Sequence, residues 1–140
     1  MHLIDECNDM PAALKLADLV VSASTDPEAF GRVAVEAQAM GKPVVATRHG
    51  GSLETVLDGE TGWLIEPGNA RQLAAALDAA LAMDAAERQA IASRGMAFVR
   101  ANFAKELMCA RTLDLYREVL AEMPVAHADM PPGPGGQVAA

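Results

Sequence analysis

The sequence predicts an α/β fold, a doubly wound parallel sheet followed by a helical C-terminal region. Short β-branched runs, "DLVVSAS", "PVVAT" and "GWLIE", alternate with stretches of helical spacing in the first half of the chain. Turns bearing glycine follow the strands, where a parallel crossover needs them. From Asn69 onward strands give way to helical periods alone.

In chain order, His2 to Asp5 is a short candidate strand and Ala12 to Ala17 a brief helix. "DLVVSAS" is a buried strand by its β-branched content. Phe30 to Met40 has helical spacing with Phe30, Val33 and Ala37 on one face; Gly41 stands at its C-terminal end, with Pro43 beyond. "PVVAT" is the next strand, Ser52 to Leu57 a short helix ending near Asp58-Gly59, and "GWLIE" the third strand. Asn69 with Gln72 forms a capping-box pattern opening a helix to about Met83. Asp84 with Glu87 repeats it for a helix to about Ala101. A last helix is expected from about Ala104 to Met123, with Leu107, Leu115 and Val119 among its buried residues. We read residues 1–123 as one partial domain and 124–140, rich in Pro, Gly and Ala, as a disordered tail.

Composition narrows the function. A chain of 140 residues, 51% apolar, is long enough for a core. A net charge of −8 argues against a nucleic-acid or anionic membrane surface. No apolar run approaches the roughly 20 residues of a spanning helix, and no signal-peptide pattern opens the sequence. Cys7 and Cys109 stand far apart without metal-ligand spacing, which reads as two reduced thiols of a cytoplasmic protein. His2, His49 and His127 form no zinc-type pair.

Ligands of doubly wound sheets sit at the carboxyl ends of the strands. Two consecutive strand-to-helix loops, "TDPEAFG" and "RHGG", fall there. Gly31, Gly50 and Gly51 permit close backbone approach, and helix N-termini favour negative charge. Carboxylates beside a phosphate need a different role: they only accept, and sugar hydroxyls donate. Glu36, inside the helix, suits a ribose diol, and Glu28, in the loop, suits sugar hydroxyls. Together they point to a sugar nucleotide. Alone, a Glu-x7-Glu spacing is common on solvated helices. Arg48 and His49 are further ligand candidates, Trp63 is a core or rim residue, and Lys42 lies at the opposite end of the sheet.

The set Glu-x-Phe-Gly-x4-Glu (Glu28 to Glu36), "GKPVVAT", Gly-Gly-x-x-Glu (Gly50 to Glu54) and Asp-Gly-x-x-Gly (Asp58 to Gly62) resembles the donor-binding half of the GT-B retaining glycosyltransferases. The resemblance implies a Rossmann-like, incomplete C-terminal half of that fold and a hexosyl-transferring activity. It implies that Glu28 attends the donor sugar and its developing positive charge, and that Phe30 and Gly31 shape the diphosphate turn. It further implies that Glu36 binds the ribose, that Gly50 and Gly51 border the pocket, and that Glu54 is structural. The nucleotide-diphosphate sugar would be substrate, with no metal or other cofactor. Family members carry a second, acceptor-binding domain and upstream Arg and Lys for the diphosphate. Only about 25 residues precede Glu28, against the ~60 that two further strand–helix units occupy, so the chain reads as truncated and inactive alone. An exposed edge at Leu19 to Ser24 would then invite a homodimer. A non-catalytic oligomerising module and a sugar-nucleotide epimerase relative on the same architecture remain open alternatives.

Overall fold

The computed structural model describes residues 6–122. The candidate strand at 2–5 and the tail at 124–140 lie outside the described residues. The order is α1 (Met10–Leu16), β1 (Val20–Ser22), α2 (Arg32–Ala39), β2 (Val44–Thr47), α3 (Ser52–Thr55), β3 (Gly62–Ile65), α4 (Ala70–Ala82), α5 (Ala85–Phe103) and α6 (Lys105–Glu122). Two units divide at Ala104/Lys105: the sheet with α1–α5, and a second beginning with α6.

The strands form one parallel sheet in the order β1-β2-β3. Val20 stands opposite Val44 and Ser22 opposite Ala46; Val44 pairs with Gly62 and Thr47 with Ile65. Central β2 is buried at all four positions, as a strand covered on both faces must be. Its side chains alternate between two cores. Val44 and Ala46 join Leu14, Ala34, Ala37 and Val56 on one face; Val45 joins Ile65 and Ala76 on the other, with Trp63 against them at its rim. Helices on both faces bear out the doubly wound expectation.

Gly62 has no room for a side chain, because a methyl group there would lie 2.3 Å from the Val44 carbonyl oxygen. Packing on the outer side of α2 is ordinary van der Waals contact. A methyl on Gly95 of α5 would come within 3.4 Å of Gln38 Cβ. Gln38 is buried and donates from Nε2 to the carbonyls of Ala34 (3.1 Å) and Thr55 (2.7 Å), tying α2 to the end of α3.

Some expectations change. The buried face of α2 is Ala34, Ala37 and Gln38, not Phe30, Val33 and Ala37. The helix starts at Arg32, so Phe30 precedes it, and the buried face combines the small Ala34 and Ala37 with the hydrogen-bonded Gln38. The cap of α4 is half the expected box: Asn69 Oδ1 accepts from Gln72 N at 3.1 Å, but Gln72 Oε1 accepts from Glu66 N at 2.6 Å. The Asp84–Glu87 box is complete in both directions. In α6 no residue is buried, and Leu115 and Val119 are exposed. A helical period identifies an apolar face but not what covers it.

Candidate functional site

The carboxyl ends of β1 and β2 release two loops that lock together. The first runs from Ala23 to Gly31. Gly31 takes φ +73° at the N-cap of α2, a left-handed conformation that a side chain would strain. No acidic residue lies within the first turn of α2, where the Ala34 amide bonds back to the Gly31 carbonyl at 3.1 Å and the nearby carboxylate is that of Glu28 in the loop. The second loop, Arg48 to Gly51, leads into α3.

Glu28 is held from both sides. Ser24 Oγ donates to its Oε1 at 3.1 Å, and the Gly51 amide donates to its carbonyl at 2.9 Å. The Gly50-Gly51 pair is a packing requirement. A methyl on Gly50 would lie 2.4 Å from the Glu28 carbonyl oxygen, and one on Gly51 would lie 2.5 Å from Phe30 Cα, C and O. The glycines thus bring one loop's backbone onto the other's. The outer Glu28 oxygen, Oε2, Ser52 Oγ and Thr55 Oγ1 each lie 3.8 Å from where a Gly31 methyl would sit.

Glu28, Phe30, Gly31, Gly50 and Gly51 are therefore assembled around one corner of the sheet. The Phe30 ring leans edge-on against Phe103 of α5, with centroids 5.5 Å apart. Glu36 stands apart from this cluster, along α2. There it takes Arg32 Nη2 at 2.8 Å and opens onto a cavity of about 400 Å³ between α1 and α2, lined also by Met10, Pro11, Leu14 and Met40. One apolar wall and one carboxylate are what a nucleoside requires, flat ring against Met and Pro, diol against Glu.

The two other ligand candidates have protein partners. Arg48 pairs with Asp58, reaches Glu66 Oε1 at 3.4 Å and donates to the Leu64 carbonyl at 3.3 Å. His49 bonds through Nε2 to the Ser24 carbonyl at 3.0 Å. Burial alone would raise the Asp58 carboxyl, but the Leu64 amide and the Arg48 guanidinium outweigh it and hold Asp58 below its ordinary value. Lys42 Nζ donates to the Lys15 carbonyl at 2.9 Å. Sequence reasoning missed Ser24, Arg32 and Phe103. The spacing of Ser24 and Arg32, four residues ahead of Glu28 and Glu36 respectively, is the one signal that would have found two of them. Nothing local marks Phe103.

The two edges of the sheet differ. Along β3, Gly59 N closes on the Gly62 carbonyl at 2.8 Å, Asp58 Oδ1 accepts from Leu64 N at 3.0 Å and Arg48 covers the Leu64 carbonyl. Along β1 no such closure exists among the described residues, and Val21 is exposed.

Comparison with known proteins bears on this geometry. Residues 1–96 match the model of the family "Glycosyl transferases group 1". The D-inositol 3-phosphate glycosyltransferase of Mycobacterium bovis is 40% identical over 114 residues, 81% of this chain and 24% of that protein. A glycosyltransferase from Rickettsia africae superposes with a TM-score of 0.80 at 36% identity, over 84% of this chain and 31% of the other. Anabaena HepE in complex with UDP-glucose gives a TM-score of 0.70 at 35% identity over the same shares. The chain spans about a quarter of the length of the curated relatives it matches.

Proposed function

The chain belongs to the glycosyl transferases group 1 family, a GT-B glycosyltransferase family, and from that premise we propose that it is the donor-binding part of a retaining transferase. The observation that carries the reading is the corner where the Glu28 carboxylate, the left-handed Gly31 and the first turn of α2 meet. A diphosphate would lie against the α2 amides, where helix dipole and free N–H groups favour an anion. Glu28 would accept from the sugar hydroxyls and favour positive charge developing at the anomeric carbon. Glu36 would release Arg32 and accept from the ribose diol, with the base in the α1–α2 cavity. Released from Glu36, Arg32 would lie at the same helix start, one mobile cation near the phosphates.

Transfer is expected to need more than these 140 residues, which is why we read the chain as inactive alone: the acceptor must be bound opposite the donor. HepE supports UDP-glucose as the first probe. Free, exposed Cys7 and Cys109 are consistent with a reducing, cytoplasmic setting. Among the described residues no helix is long and apolar enough to cross a membrane.

The uncovered edge of β1 supports a homodimer through Leu19 to Ser24. Two copies related by a twofold axis would pair their β1 strands antiparallel, closing the edge that no side chain closes among the described residues.

The division of labour is tested with two ligands. Glu36→Ala should weaken UDP and UDP-glucose alike, by roughly tenfold or more, the worth of at least one charge-assisted bond. Glu28→Gln should weaken UDP-glucose and leave UDP unchanged. Equal losses for both ligands in both variants would contradict the assignment.

A further inference from the structure

His49 is the one residue that reaches from the β2–α3 loop across to the strand end carrying the Glu28 loop. Its backbone amide donates to the Thr47 carbonyl at 2.9 Å, which holds the residue at the end of β2. Its ring then meets the Ser24 carbonyl at 3.0 Å through Nε2. Ser24 is also the residue whose hydroxyl donates to Glu28 Oε1 at 3.1 Å. The sequence of contacts is therefore His49 ring, Ser24 backbone, Ser24 hydroxyl, Glu28 carboxylate.

The hydrogen bond fixes the proton. A carbonyl oxygen only accepts, so Nε2 must carry the hydrogen. Nδ1 is buried and has no hydrogen-bond partner. In the Nε2–H tautomer it bears a lone pair.

We propose that His49 is a positioning residue for Glu28, acting through Ser24 with its Nε2–H as the donor. The proposal rests on the donor-site reading for its consequence, since an aimed Glu28 matters for the sugar and not for the nucleotide. It differs from a ligand-contact role, because the bond argued from is the one that Nε2 makes to the protein. Its neighbour Gly50 makes the clasp possible: at φ +53° it lets the Glu28 carbonyl come close to the same loop.

The test uses the whole chain, with UDP and UDP-glucose as probes. His49→Phe keeps a ring and removes the donor; His49→Gln keeps an N–H. His49→Phe should bind UDP-glucose about fivefold more weakly and UDP unchanged, the factor corresponding to one neutral hydrogen bond. His49→Gln should recover much of the loss. The effect should not add to that of Ser24→Ala, because both act through the same bond to Glu28. A merely structural role would move both ligands together, and that result, or full additivity with Ser24→Ala, overturns the proposal. Nitrogen-15 spectra of the wild-type imidazole give a readout independent of ligand. They should show a hydrogen-bonded proton on Nε2; an Nε2 without a proton overturns the proposal even if UDP-glucose binds. A wild-type chain that binds neither ligand refutes the donor-site reading instead, and the imidazole spectrum then decides the clasp alone.

Discussion

Replacing Gly51 with alanine isolates the contact that locks the two site loops. Gly51 has φ −61° and ψ −19°, an ordinary helical conformation. In open space such a substitution would stabilise the fold by about 0.4–1 kcal/mol, by restricting the unfolded chain. Here the new methyl would lie 2.5 Å from three backbone atoms of Phe30. Carbon atoms settle at about 3.5–4.0 Å, so one loop must retreat by about 1 Å. Such overpacking costs typically 1–3 kcal/mol, and the retreat loosens the Gly51 N–H bond to Glu28, worth about 1 kcal/mol more. The expected net loss is about 2–3 kcal/mol. Urea unfolding should show it as a lower midpoint at constant slope. Gly59→Ala is the control. Gly59 has φ +76° and nothing within 4 Å of the new methyl, so it carries only the left-handed cost, about 1–2 kcal/mol. The reasoning is refuted if Gly51→Ala is as stable as the wild type or more so.

Acid should reveal the clamp on β3. Asp58 is depressed in the folded chain, so its contribution is fully present above its ordinary value of 3.8 and is lost as the pH falls further. Asp58→Asn should flatten the acid limb of a stability–pH curve below about pH 4; an unchanged limb would remove Asp58 from the account. The open β1 edge predicts a mass that rises with concentration in light scattering, and Val21→Lys, a charged edge residue, should return the chain to monomer. Strict monomer behaviour of the wild type at high concentration would refute the dimer.

Much of the fold was legible because its signals are local. The β-branched runs gave the three strands of the described residues, and the Asp84–Glu87 box set the start of α5 to the residue. What failed depends on partners distant in sequence. The buried face of α2 depends on contacts distant in sequence: Gln38 bonds to the Thr55 carbonyl and packs beside Gly95, more than fifty residues on. Gln72 left its expected cap because Glu66, at the end of β3, presents a free amide. At the candidate site, type and spacing singled out glycines and carboxylates of which Glu28, Gly31, Gly50 and Gly51 lie together in the fold, but the packing reason for Gly50 and Gly51 was not legible. They were expected to make room for a ligand, and they make room for Glu28 and Phe30. Arg48 and His49 were legible as polar residues at a strand end. Their targets, Asp58 and the Ser24 carbonyl, are set only when the sheet assembles.

The central claim is that these residues form a sugar-nucleotide donor site, and amide NMR of the whole chain titrated with UDP-glucose, GDP-mannose and ADP-glucose tests it most directly. The account predicts saturable shifts with one of the three, concentrated at Met10 to Leu14, Ser24 to Glu36 and Arg48 to Ser52. No shifts with any at millimolar concentration, or shifts confined to the cavity of Trp63, Gln72 and Ala76 on the far side of β3, would contradict it.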